Sequence, residues 1–434
     1  MTSERFETAS TRYIHVWLLI GSGVVAAAQV GKAIICIPMI RSDLALGLDF
    51  AGLIVATFAT LGALMGIGAG VLVGRLGVRP SLIGGMIAIA IGNLIGASAS
   101  NEFTLLVGRV VEGVGFFGAV LAIPSMLARI VKYHERDFVM AVWSAYMPAG
   151  IMLMFFVGPL LPTIGWRNLW LANALVASAC GIVLAIYAPT MPKTARTPGG
   201  QFFTEVANVV RHPRCVVLAF AFFAYSFQIF SLAFALPLLL TSAHGVALGS
   251  AGLLSALVLA VSTMGHVSSG FLLRAGVPIW ANIAAAFGFF AISALAIYVG
   301  DLPPAAVALV AALALGIGGL APGALYAAAP QAAPSPQAVP PTIGLLQQAS
   351  NLGQFAGPLT IGLWVEHFGW NTVPALVTPA ALLGLAAAFV IRCVLVASES
   401  GIAAGERGAA QNVVAVRCGH PVAGKISVRR SPTS

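Results

Sequence analysis

The sequence predicts an all-α polytopic membrane protein with twelve transmembrane helices in two six-helix pseudo-repeats, and three observations predict it. First, 59% of the 434 residues are hydrophobic and 8% are charged, against roughly 25% charged in a soluble domain. With a mean hydropathy of +0.97, the chain holds more apolar surface than one water-facing fold can hide, so the solvent for most of it is lipid. Second, apolar runs of about 20 residues, long enough to cross a bilayer core as helices, occur twelve times in succession. Third, short patterns recur between the two halves at an offset of about 200 residues.

The runs lie near residues 16–37, 51–73, 79–99, 103–126, 138–161, 168–188, 214–240, 249–273, 278–299, 303–328, 341–364 and 372–396. Backbone groups in hydrocarbon must be satisfied within the segment, which leaves helix as the choice; barrel strands are about 10 residues long and alternate. The first run follows Arg5 and Arg12 and contains Ala26-Ala27-Ala28, a pattern a cleaved leader also shows. Apolar sequence continuing to Met39 makes it a full span instead.

Charge sets the orientation. If residues 1–15 form a cytoplasmic tail, 18 of the 22 Lys and Arg residues fall on the cytoplasmic side, only Arg41 and Arg167 outside, and Lys32 and Arg109 within spans. This bias places both termini in the cytoplasm. The expected location is the plasma (inner) membrane. The net charge of +9 is therefore dispersed over separate loops without aromatic interleaving, which excludes nucleic-acid binding. Cys36, Cys180, Cys215, Cys393 and Cys418 show no metal or redox spacing, so neither a metal nor another cofactor is expected.

The expected organisation is a tail at 1–15, a six-helix bundle at 16–188, a cytoplasmic connection at 189–213, a second bundle at 214–396 and a disordered cytoplasmic tail at 397–434. The connection carries Pro189, Pro192 and Pro198, then a short amphipathic stretch from Phe202 to Val210. Internal similarity supports the two halves. Gly70-Val-Leu72-Val-Gly74-Arg75-Leu-Gly77-Val-Arg79-Pro80 follows the second span, and Gly270-Phe-Leu272-Leu-Arg274-Ala-Gly276-Val-Pro278 follows the eighth. Likewise Gly158-Pro159 with Gly165-Trp166 ends the fifth span, and Gly357-Pro358 with Gly369-Trp370 ends the eleventh. Parallel repeats of this kind place a binding site between halves near the bilayer midplane.

These residues resemble the major facilitator superfamily. Its loop signature, G-x-L-x-D-R-x-G-x-R/K, is matched by Gly70, Leu72, Arg75, Gly77 and Arg79, with Gly74 at the position of the Asp. In the family that carboxylate helps latch the halves on the cytoplasmic side, so the substitution puts the loop's gating role in question. The fourth-helix pattern R-x-x-x-G-x-G is met by Arg109, Gly113 and Gly115. Of the fifth-helix pattern only Gly158-Pro159 survives, while the eleventh span keeps Gly353-x-x-x-Gly357-Pro358. The resemblance covers residues 16–396 and implies gating roles for the loop residues and for Gly158, Pro159, Gly357 and Pro358. The late Lys32, Glu112 and the Gln-rich eleventh span are similar to the cyanate and nitroimidazole permease branch.

Gly113-Val-Gly115-Phe-Phe-Gly118 is formally G-x-G-x-x-G, but it lies inside an apolar run without a preceding strand and reads as helix packing. His266, beside Ser262, Ser268 and Ser269, could titrate in a proton pathway; lacking a carboxylate neighbour, it reads as a hydrogen-bonded packing residue. The costly residues are the charges inside spans, Lys32, Arg109 and Glu112, each about 2.5 kcal/mol or more at a helix centre and at similar depths. Arg109 and Glu112 share a helix face at i,i+3. In the resembled family the first and fourth helices line the cavity, which would let Lys32 face Glu112. The bland readings are snorkelling for Lys32 and a structural ion pair for the other two. As a cavity site the three carry +1 and favour an anion. The second half offers Tyr225 and Gln228, Tyr326, and Gln347, Gln348, Asn351 and Gln354, of which Gln347, Asn351 and Gln354 form one stripe.

The expected function is secondary transport of a small polar or anionic organic solute by alternating access, with protons as the coupling ion, by a monomer. No Walker loop, H-E-x-x-H or G-x-S-x-G is present, so the chain is not expected to be an enzyme. The alternatives are a proton-driven efflux pump for lipophilic compounds and a non-transporting membrane receptor.

Overall fold

The structure, a computed structural model, describes residues 13–60, 62–64, 76–132, 139, 142–190, 199–335 and 338–393. The chain divides into two compact units, 1–391 and 392–434. Of the second only Arg392 and Cys393 are described, so the expected disordered tail lies outside the described residues.

The first half contains α1 (Tyr13–Leu44), α2 (Leu48–Thr57), α3 (Val78–Ala97), α4 (Glu102–Ile130), α5 (Tyr146–Phe156) and α6 (Trp166–Tyr187). A 3-10 turn at Gly158–Leu160 and a helical turn at Leu161–Ile164 extend α5. An amphipathic helix, α7 (Gly199–Arg211), occupies the connection where the sequence places such a stretch. The second half follows as α8 (Pro213–Ser242), α9 (Leu248–Arg274), α10 (Ile279–Tyr298), α11 (Pro304–Gly318), α12 (Leu320–Ala332), α13 (Val339–Phe368) and α14 (Trp370–Cys393). The tenth expected span is formed, over Pro304–Ala332, by α11 and α12 in line, which meet at Gly319, a residue that keeps helical φ and ψ and whose N–H bonds to Leu315 O at 2.9 Å.

Ten helices among the described residues are long and apolar enough to cross a membrane. The other two expected spans differ for separate reasons. Residue 61 and residues 65–75 of the second lie outside the described residues, leaving α2 with ten residues. The eleventh forms a 30-residue helix, α13, but its Gln347, Gln348, Asn351 and Gln354 make it too polar to count by hydropathy.

The pseudo-repeat is written in the backbone. Gly165 and Gly369 both adopt positive φ, 76° and 79°, and each starts the next helix at Trp166 or Trp370. Gly77 and Gly276 do the same before α3 and α10, at 96° and 86°. A left-handed residue reverses the chain tightly, and only glycine does so without steric cost.

Successive spans alternate in direction, with α11 and α12 together making one span, so the C-terminal ends of α1, α3, α5, α8, α10 and α13 share one face, the upper face. Contacts across that face agree: Arg167 pairs with Asp43 at 2.5 Å, and Trp370 Nε1 donates to Ser242 Oγ at 3.1 Å. Arg79, Arg129, Lys132, Arg211, Arg214 and Arg274 mark the opposite, lower face, against Arg41 and Arg167 on the upper. Inside each half, small residues let helix backbones touch. A Cβ on Gly115 would lie 2.4 Å from Gly85 O of α3, and one on Gly113 would lie 2.4 Å from Phe58 O just past α2. Close packing is therefore what this glycine run does.

Candidate functional site

Lys32 on α1 and Arg109 and Glu112 on α4 meet in one network, each completely buried. Lys32 Nζ lies 2.8 Å from Glu112 Oε1 and donates to Gln29 Oε1 at 2.9 Å and to Asn93 Oδ1 of α3. Arg109 Nη1 pairs with Glu112 Oε2 one helical turn away and donates to Gln29 O at 2.9 Å, while Nε donates to Ile54 O of α2 at 3.1 Å. The Lys32 ammonium also stands 4.2 Å from the centre of a Trp170 ring of α6, and the Arg109 guanidinium 4.7 Å from the Phe58 ring. Lys32 therefore points inward to a carboxylate and does not snorkel.

The network has a support that the charges alone did not announce. Asn93 Nδ2 donates to Gln29 Oε1 at 2.9 Å, and Gln29 Nε2 donates to Asn173 Oδ1 of α6 at 3.1 Å. Gln29, Asn93 and Asn173 are amide side chains within apolar spans, which is the signal that marks them as partners of something buried. Among the described residues every partner of this network belongs to the first half. The cluster is thus the polar heart of that bundle, covered on one side by α2 through Ile54 and Phe58.

Its chemistry is unbalanced in two ways. Two cations share one carboxylate, leaving a formal +1. In addition, Arg109 Nη2 is buried without a hydrogen-bond partner. A buried charge or donor left unpaired is costly, so the position favours an anion or another acceptor.

In the second half the candidates divide into separate groups. Tyr225 of α8 contacts His266 Nε2 of α9 at 3.1 Å, and Tyr326 of α12 donates to Gln347 Oε1 of α13 at 2.6 Å. Gln228 turns away to donate to Val377 O of α14 at 2.5 Å. Gln354 donates to Ser350 Oγ at 3.3 Å. Asn351 is buried against Gly62, and its Nδ2 has no partner. Gln348 donates to Ala63 O across the halves at 3.0 Å. The residue that sequence reasoning set aside is His266: it shares a hydrogen bond with a candidate site residue.

The residues expected to gate lie at several separate places. Gly158 and Pro159 abut α9, where a Cβ on Gly249 would lie 2.9 Å from Pro159 Cα and one on Gly252 3.1 Å from Gly158 Cα. Pro358 abuts α2, its carbonyl 2.5 Å from where a Gly52 Cβ would stand. Gly357 packs within its own half, against Phe227 and Ser231 of α8. Gly77 begins α3. Arg79 donates to Ala185 O at 2.6 Å and Thr190 Oγ1 at 3.0 Å, tying α3 to the end of α6. Gly70, Leu72 and Arg75 lie outside the described residues.

A two-half helical membrane bundle with charge buried in its first half is the architecture of a transporter family. The Major Facilitator Superfamily description matches residues 19–339, and the chain belongs to that superfamily. It is 30% identical over 203 residues to the uncharacterized MFS-type transporter EfpA of Mycobacterium tuberculosis, covering 42% of this chain and 37% of that one. It is 24% identical over 189 residues to the inner membrane transport protein YajR of Escherichia coli, covering 43% and 41%. With the glucose transporter GlcP of Staphylococcus epidermidis it shares 27% identity over 159 residues, covering 36% and 34%. Each alignment spans less than half of the relative's own length. The chain is a multi-pass membrane protein and not an enzyme family member.

Proposed function

We propose that the chain is a secondary transporter that moves a small anionic organic solute across the plasma membrane by alternating access, with the upper face outside and proton movement as the driving reaction. The observation that carries the substrate class is the buried +1 cluster with its unpartnered Arg109 Nη2. An anion there would neutralise the excess charge and satisfy the free N–H, and the planar guanidinium suits a carboxylate-like group. The amides Gln347, Asn351 and Gln354 supply neutral donors for the far side of such a solute. The similarity to cyanate and nitroimidazole permeases points to the same class of small, oxygen- or nitrogen-rich molecules.

Access follows from one helix. α2 covers Arg109 and is also the helix that α13 clamps at the upper face, through Gly52 and Pro358. Separating the halves there would draw α2 off the cluster and open a route to Arg109. The basic lower face supports its cytoplasmic assignment.

A thermal-shift assay on purified protein tests the substrate class, with monocarboxylates, cyanate and nitroaromatic acids each compared with its neutral amide. Anions should raise the melting temperature and the amides should not, because only a ligand that favours the folded state stabilises it. The shift should vanish in Arg109→Ala. Stabilisation by lipophilic cations instead of anions would overturn the anion reading in favour of efflux.

A further inference from the structure

We propose that His266 is a proton-binding switch whose protonation loosens the Gly318-Gly319 junction between α11 and α12, with Tyr225 as the group that holds the closed arrangement. The inference supplies the proton-binding residue for the coupling proposed above and rests on that reading for its physiological role, although the switch itself needs no solute.

The tautomer is fixed by geometry. His266 Nδ1 lies 2.9 Å from Ser262 O, a carbonyl that only accepts, so Nδ1 carries the hydrogen. In the neutral ring Nε2 is then a bare acceptor, and the Tyr225 hydroxyl at 3.1 Å donates to it. Adding a proton at Nε2 sets N–H against O–H. The bond can persist only if the tyrosine hydroxyl turns its hydrogen elsewhere.

The surroundings do not compensate the new charge. The elements packed against α9 are α5, α8, α11, α12 and the turn after α5. Within their membrane-buried lengths they offer only three titratable groups besides Cys215 near the start of α8: Tyr146 on α5, Tyr225 on α8 and Tyr326 on α12. None carries a carboxylate, and Arg214 and Arg274 lie at the lower ends of α8 and α9. An imidazolium in this setting lacks a counter-ion, so an arrangement that admits water to it becomes the cheaper one.

The weak point is adjacent. A Cβ on Gly319, the residue between α11 and α12, would lie 2.9 Å from His266 Nδ1, 2.8 Å from His266 N and 2.9 Å from Ser262 O. A Cβ on Gly265, which precedes His266, would lie 1.9 Å from Gly316 O, and Ser269, one turn after His266, donates its Oγ to Leu320 O at 2.9 Å. The histidine therefore stands against the glycine junction of the tenth span. α12, which moves if that junction loosens, carries Tyr326 and its bond to Gln347. A proton on His266 is linked in this way to the amide stripe of α13.

Hydrogen–deuterium exchange on the full chain in lipid nanodiscs tests the proposal without any solute, using peptides that cover 314–325 and rates corrected for intrinsic pH dependence. Wild type should exchange about fivefold faster or more at pH 5 than at pH 8, the scale expected for losing about one net hydrogen bond. His266→Gln cannot be protonated and should show the slow pattern at both values. Tyr225→Phe removes the hydroxyl anchor and should narrow the difference by raising exchange at pH 8. Equal wild-type rates at the two values would overturn the proposal, and so would a His266→Gln chain that keeps the pH response. Should His266→Gln not assemble, wild type and Tyr225→Phe decide alone: a Tyr225→Phe chain identical to wild type at both values overturns the anchor role. Because no solute is present, failure of the anion reading leaves these outcomes unchanged.

Discussion

Lys32 and Glu112 are 80 positions apart in sequence and 2.8 Å apart in space, with Arg109 on the other oxygen of the same carboxylate. Charge counting then ranks the variants. Glu112→Gln leaves two buried cations without an anion and should cost about 3–5 kcal/mol, the range for breaking a buried pair. Lys32→Met removes the excess charge and leaves the neutral Arg109–Glu112 pair, so it should destabilise far less while weakening anion binding. Arg109→Lys keeps the charge but loses the planar fork and its bonds to Ile54 O and Gln29 O, and should fall between them. Thermal unfolding of the three purified variants checks the order; Lys32→Met as damaging as Glu112→Gln would refute the charge argument.

At the scale of elements, α2 and α13 form one upper contact between halves, beside that of the α5 end with α9. A Cβ on Gly362 would lie 2.5 Å from Leu48 O, and Glu366 Oε2 accepts from Leu48 N at 2.8 Å. The carboxylate thus satisfies an orphan N–H in the first turn of α2, where the helix dipole favours negative charge. Gly362→Leu should wedge the helices apart. In a background whose other cysteines are serine, a single cysteine at Asn351 should then react faster with a membrane-impermeant thiol reagent added from the outside. Glu366→Gln keeps an acceptor but removes the charge, so a smaller increase of the same sign is expected. Unchanged labelling in Gly362→Leu would show that the upper seal lies elsewhere. On the lower side Arg79 bonds within its own half, to the end of α6. Gly74→Asp should therefore leave accessibility of lower-face cysteines unchanged unless the loop docks across the halves.

For the whole molecule, alternation of the helices and the uneven distribution of basic residues predict one topology. A reporter inserted at Gly276 should be cytoplasmic and one at Asp301 external. Both on the same side would contradict the direction of α10. The sequence by itself determined the class, the positions of most spans and the two-half repeat, because a bilayer demands about 20 apolar residues per crossing and glycine at left-handed turns leaves a fixed mark. It also exposed Lys32, Arg109 and Glu112, since charge inside an apolar run is conspicuous. It could not show that Gln29, Asn93 and Asn173 complete their network, nor that Arg109 Nη2 is left over, because hydrogen bonds between distant spans depend on helix rotation. His266 was legible as a polar residue and was discounted for want of a carboxylate neighbour. Only the tertiary structure brought Tyr225 to its Nε2 and Gly319 to its Nδ1, since the packing of α8, α9 and the tenth span sets distances that local sequence does not encode.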